Sequence, residues 1–166
     1  MKSNGTAVAS VCFAALAAFF VYQWWFNPTR AVQRRLSEIA AALSVPDNEP
    51  PMARIGRAAQ LRKYLADDVH IKAGSSELTS RDQIVGLVSA FTPPPGGWNI
   101  QFVDLQVRVN HNTNIDADAY MTVEINGIDP RTGQPTIDAR EASVTMKKLD
   151  GEWVLATAET KDTLQK

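Results

Sequence analysis

Residues 98–125 read WNIQFVDLQVRVNHNTNIDADAYMTVEI. Val103, Leu105, Val107 and Val109 alternate with Phe102, Asp104, Gln106 and Arg108. After a polar turn at 111–114, Ala117, Ala119, Met121, Val123 and Ile125 alternate with Asp118, Tyr120, Thr122 and Glu124. A period of two belongs to a strand with one face buried and one in water. Two such runs joined by a short turn predict antiparallel strands. Turn residues fill 126–135, and a third strand over 137–149 puts Ala142, Val144 and Met146 on one face. Asp150-Gly151 then reads as a two-residue hairpin turn into a fourth strand at 152–160.

Upstream, the period is that of a helix. Asn27-Pro28 suits an N-cap and first helical position, and 29–43 carries Val32, Leu36, Ile39, Ala40 and Leu43 at helical spacing. The breaker-rich loop SVPDNEPP occupies 44–51. A second helix over 52–65 is expected to turn Ile55, Ala58, Ala59, Leu61 and Leu65 inward. Asp67 and Asp68 read as turn formers at its end, and 69–73 as a short strand. Ser80 caps a third helix, with Gln83 completing a capping box. Ile84, Val85, Leu87, Val88 and Phe91 form its stripe, and TPPPGG at 92–97 stops it. Helices followed by long alternating strands predict an α+β fold, the helices covering one face of an antiparallel sheet.

No charge falls between Lys2 and Arg30. Residues 5–26 read GTAVASVCFAALAAFFVYQWWF, which as a helix spans about 33 Å against a hydrocarbon core of about 30 Å. A transmembrane signal anchor is expected, with Tyr22, Trp24 and Trp25 at the headgroup level. Arg30, Arg34 and Arg35 follow, placed either against anionic headgroups or on a solvated helix face. Two other readings exist. Cleavage after Ala15-Leu16-Ala17 would leave an exposed apolar N-terminus. Acylation of Cys12 is poorly served by the preceding Ala9-Ser10-Val11. The expected organisation is a tail at 1–4, an anchor at 5–26, a juxtamembrane helix and loop at 27–51, and a folded domain at 52–166 whose first helix begins as early as residue 30. The bilayer is then a partner, and the chain a single-pass protein of the inner membrane. The arginines after the span mildly favour a cytoplasmic domain by the positive-inside rule.

Composition narrows the function classes. The chain has 166 residues, 45% hydrophobic and 21% charged, which suits one folded domain and excludes a wholly disordered chain. Its 17 Lys and Arg face 18 Asp and Glu, so no nucleic-acid partner is expected. One Cys forms no intramolecular disulfide, and two His without an HExxH pattern argue against a metal site. There is no phosphate-binding glycine loop and no GxSxG. No cofactor is expected.

Residues 65–73, LADDVHIKA, followed by Ser80-Arg81-Asp82-Gln83-Ile84-Val85, resemble a pattern of the nuclear-transport-factor-2-like superfamily. That group is also called SnoaL-like, or the cystatin-like α+β cone. The ending at 144–155, with its Asp-Gly turn and Trp153, resembles the family's last hairpin. The resemblance covers about residues 30–164 and implies helices wrapped by a curved antiparallel sheet. In ketosteroid isomerase, an enzyme of the superfamily, the general base would fall at Ala73 and the second acid near Thr145, and neither residue can do that work. No catalytic residue is therefore assigned. The resemblance also implies a cone pocket, which Val69, Ile71, Ala73 and Met146 would line with Arg140 as a polar anchor. It implies homodimerisation through the outer sheet face, with Tyr120 and Thr122 taking part.

Three functions fit these features. The first is a membrane-anchored, non-enzymatic interaction or assembly module of the bacterial envelope. Its layout is shared with inner-membrane subunits of type IV secretion systems, which implies an extracytoplasmic, periplasmic domain. The alternative is a small-molecule-binding protein or a lyase or isomerase using the apolar cone pocket. The third is a subunit of a membrane complex held by its span, where the Ala-rich stretch 14–18 allows close helix approach.

Overall fold

A computed structural model describes residues 13, 15, 16, 27–92, 95–129 and 131–161. The expected span at 5–26, with Tyr22, Trp24 and Trp25, lies outside the described residues except for Phe13, Ala15 and Leu16, which are helical and exposed. Among the described residues no helix is long and apolar enough to cross a membrane.

Helix α1 runs Pro28–Leu43. Asn27 caps it, its Oδ1 accepting the Thr29 N–H at 3.0 Å. Val32, Leu36 and Ile39 bury one stripe in the core. Helix α2 spans Pro51–Arg62 and α3 spans Arg81–Ala90. Strands are β1 Leu65–Ala73, β2 Ser76–Leu78, β3 Trp98–Val109, β4 Asp116–Ile128, β5 Pro135–Leu149 and β6 Glu152–Lys161. They form one sheet in the order β2-β1-β6-β5-β4-β3. The sheet is mixed rather than antiparallel throughout, because β1 runs parallel to β6. β1 and β6 are joined through β2, α3 and β3–β5, and a long connection of this kind lets two strands of one sheet lie parallel.

Four local expectations need correcting. α2 ends at Arg62, and Leu65 belongs to β1. Ala58 and Leu61 of α2 are buried, whereas Ile55 and Ala59 are exposed, because this peripheral helix offers only a narrow inward stripe. Asp67 and Asp68 sit within β1 rather than at a helix end, where the pairing with β6 slips between Leu65↔Leu155 and His70↔Thr157. In β3 the alternation itself breaks. Asp104 takes a left-handed φ of 52°, and the register shifts between Val103↔Thr122 and Gln106↔Tyr120. This one-residue bulge re-aims the strand. Phe102, Leu105 and Val107 pack on the core, and Val103 shares the outer-face rung of Thr122.

The concave face is filled by complementary rungs. Ala117 lies opposite Met146, Ala119 opposite Val144 and Ala142 opposite Met121, so each small residue faces a larger one. Leu36, Leu61, Met146, Val32 and Val69 are the largest wholly buried side chains. The far end of α1 is stitched to β3. The Trp98 indole Nε1–H donates to the Leu43 carbonyl at 2.8 Å, and Val45 and Trp98 exchange backbone hydrogen bonds. Gly97 has φ +63° and approaches so closely that a Cβ would stand 2.2 Å from the Val45 carbonyl oxygen. Only glycine fits there.

Candidate functional site

The residues expected to line a cone pocket do not converge on one. Val69 and Met146 are 0% exposed and belong to the solid core. Ile71 is partly buried and packs against that core. Ala73 is exposed at the end of β1, paired with Ser76 and Thr160. Arg140 is exposed on β5, its Nε donating to Asp138 Oδ2 at 3.1 Å. The core extends through the space between helices and sheet, and four surface depressions of about 390–570 Å³ are lined by none of these five residues.

Among the described residues, the buried charged group is Glu49, and it lies outside that interior, between the 44–50 loop and α2. Arg57 Nε and Nη2 donate to its two oxygens at 2.8 and 3.0 Å, and Arg57 Nη1 reaches the Ala42 carbonyl at 3.3 Å. Arg54 Nε stands 3.8 Å away. The hydrogen bonds from Arg57 hold the Glu49 carboxyl below the ordinary carboxylate range against the opposing effect of burial, with help from the charges of Arg57 and Arg54. This cluster ties a loop to a helix. It faces no cavity.

The outer face of the sheet is built differently. Tyr120 is 54% exposed near its centre, paired across strands with Gln106 and Ser143. Two shallow depressions meet at Tyr120 and Ser143. One, of about 440 Å³, reaches Gln106, Thr122, Glu141 and Lys161. The other, of about 390 Å³, reaches His70, Lys72, Asp118, Thr145, Thr157 and Glu159. Polar pairs fix its relief. Thr145 Oγ1 donates to Asp118 Oδ1 at 3.1 Å, His70 Nε2 meets Glu77 Oε1 at 2.6 Å, and Lys72 Nζ stands 3.9 Å from Glu159. Chemically this is a broad hydroxyl- and charge-bearing surface around one aromatic ring. Aromatic residues of this kind anchor protein interfaces.

The expected lipid-facing arginines divide. Arg30 and Arg34 are exposed on the first turns of α1. Arg35 turns towards the domain, where it pairs with Glu38 at 3.0 Å and with Glu152, and its guanidinium lies 5.0 Å from the Tyr64 ring centre. It is a clamp between α1 and β6. Tyr120 and Thr122 share the outer face as expected. Gln106, Ser143 and Thr157 join them through cross-strand register, which alternation within each strand does not specify.

No protein-family model matches the chain, and no curated protein matches it in sequence. Solved structures do match in shape. A nuclear-transport-factor-2-like protein with a cystatin-like fold from Novosphingobium aromaticivorans superposes with a TM-score of 0.63 at 14% identity, covering 87% of this chain and 88% of that one. A putative scytalone dehydratase from the same organism gives 0.61 at 16%, covering 81% and 83%. A putative calcium/calmodulin-dependent protein kinase II association domain from Xanthomonas campestris gives 0.62 at 16%, covering 82% and 89%. At such identities the likeness concerns architecture. The described part of the chain is an α+β fold, helices on a curved mixed sheet, of the cystatin-like cone type found in nuclear-transport-factor-2-like proteins.

Proposed function

We propose that this chain is a membrane-anchored, non-enzymatic interaction module of the bacterial envelope, with its domain outside the cytoplasm, which assembles with a second copy or another protein through the outer sheet face. The observation that carries the reading is the contrast across one sheet. The concave side is occupied by apolar side chains down to Val69 and Met146 at 0% exposure, whereas the convex side presents Tyr120 amid polar neighbours. A lyase or isomerase would need a titratable group aimed into an open cavity. Ala73 is at an exposed strand end, and Thr145 points outward to Asp118. The association-domain neighbour shares the architecture and is in keeping with assembly. Anchoring rests on the uncharged stretch of residues 5–26.

The test is photo-crosslinking of the full chain in intact cells, with a photoreactive amino acid at Tyr120 or, as control, at Asn99 elsewhere on the sheet. The expected result is a discrete higher-mass adduct from position 120 and none from position 99. Monomer from both positions would overturn the assembly face. Alkaline phosphatase fused after Lys166 tests the compartment, because its disulfides form only in an oxidising one. Activity is expected. Silence, with a cytoplasm-active reporter working in its place, would put the domain inside.

A further inference from the structure

We propose that the end of the domain where α1 begins is a membrane-apposed face, with Arg30, Arg34, Lys63 and Lys148 set against anionic lipid headgroups and Ile115 and Leu149 touching the interface between them. The inference rests on the anchoring proposed above and specifies how the domain sits on the bilayer. Four contacts bring distant segments to this end. Arg35 of α1 pairs with Glu152, at the start of β6. Glu152 lies opposite Leu149 across the hairpin turn. The Lys148 N–H donates to the Ile115 carbonyl at 2.7 Å. The Leu155 N–H donates to the Tyr64 carbonyl at 2.8 Å, which places Lys63 near the fourth residue of β6, about 10 Å along the strand from Glu152.

The surface so assembled has three properties that suit a bilayer. Ile115, in the β3–β4 turn, and Leu149, the last residue of β5, are 51% and 48% exposed, and the hydrogen bond from Lys148 joins the two segments. The four cations named are exposed. Of the acids nearby, Glu38 and Glu152 are engaged by Arg35, leaving Asp116 and Asp150. The opposite end is close to balanced, with Asp47, Glu49, Glu124, Asp129 and Asp138 beside Arg54, Arg57, Arg131 and Arg140. The last property is distance. Asn27 alone separates residue 26 from α1. One residue reaches only about 3.5 Å, so a span ending at residue 26 holds the first turn of α1, with Arg30, within about a Debye length, roughly 8–10 Å, of the headgroups, and Arg35 follows about 10 Å along the helix. At that range each cation strengthens adhesion to an anionic surface roughly fivefold.

The test uses the full chain carrying Cys12→Ser, with Ile115→Cys, Leu149→Cys or, at the opposite end, Ile137→Cys. Each is labelled with an environment-sensitive fluorophore. The protein is reconstituted into vesicles of phosphatidylcholine, alone or mixed with phosphatidylglycerol, containing nitroxide-bearing lipids. The labels at 115 and 149 should lose most of their emission in the mixed vesicles and less in phosphatidylcholine alone, while the label at 137 stays bright. The combined variant Arg30→Gln, Arg34→Gln, Lys148→Gln should restore emission at 115 and 149 while the chain still floats with the vesicles. A chain that floats but leaves positions 115 and 149 as bright as 137 overturns this face and leaves anchoring intact. A chain that does not float overturns anchoring and this face together. Amide-exchange protection of residues 110–116 and 149–152 in the unlabelled chain, on mixed vesicles only, is the expected companion result, and its absence counts against the face.

Discussion

Strand β4 carries both faces of the sheet in alternate residues, and they obey different rules. Inward it presents Ala117, Ala119 and Met121, each opposite a residue of complementary size on β5. Outward it presents Asp118, which accepts from Thr145, together with an exposed Tyr120 and a half-buried Thr122. The inner face is solved as a packing problem, in which small against large leaves an even surface for α1 to lie on. The outer face leaves an aromatic ring uncovered. The difference teaches that the interior is committed to packing, while the exterior carries the exposed ring on which the proposed assembly rests.

The comparison is broken most sharply from the inside. Met146→Ala removes a side chain with no exposure and should cost about 2–5 kcal/mol in denaturant titration. A loss below about 1 kcal/mol would mean that the interior is loose enough to admit a ligand, and it would revive the pocket reading.

Glu49→Gln comes next. It leaves Arg57 partly unpaired and should cost about 1–3 kcal/mol at neutral pH. The sign with pH follows from the depressed carboxyl. A folded pKa below the unfolded one contributes stability that is present above the unfolded value, near about 4.3, and is lost as pH falls through the folded value. Wild type and variant should therefore converge in stability as the medium is acidified below pH of about 4. A gap that stays constant through that window would deny Glu49 its ionic role.

These features were legible to different degrees. The capping of α1 and α3 followed from a few adjacent residues. Ser80 Oγ accepts the Gln83 N–H at 3.3 Å as a capping box requires, although the Gln83 side chain reaches back to Thr79 N–H rather than to Ser80. The Asp150-Gly151 turn, with φ of 51° and 87°, was local too. What escaped was non-local. The parallel pairing joins Leu65 to Leu155 across most of the domain, and nothing near either residue encodes it. The bulge at Asp104 escaped for a subtler reason. Val103, Leu105, Val107 and Val109 alternate perfectly in sequence, and the adjacent pair Phe102-Val103 fits either face. The hint was an aspartate between two apolar residues, a type that tolerates a left-handed backbone. The expected pocket residues came from the resemblance, which implies a face and says nothing of whether that face is filled.

Asp104 supplies the third prediction. At φ of 52°, Asp104→Val should cost about 1–2 kcal/mol, because a β-branched side chain crowds the backbone there. Asp104→Gly should be neutral or gain a few tenths of a kcal/mol. The two denaturant midpoints, measured together, separate backbone strain from loss of the carboxylate. Equal losses in both would mean that the side chain, and not the bulge, matters.

The smallest effect on stability belongs to the outer face, and it is the most telling. Tyr120 is 54% exposed, so Tyr120→Arg should shift the unfolding free energy by no more than about 0.5 kcal/mol. The same change puts a charge and a long flexible side chain where the proposed partner would rest, and interface anchors of this type are worth about 2 kcal/mol or more. Sedimentation of the full chain in detergent, together with crosslinking from Thr122, should show assembly weakened about thirtyfold at unchanged stability. Loss of stability with assembly intact would reverse the roles assigned to the two faces, making the exterior structural and returning the search for function to the concave side.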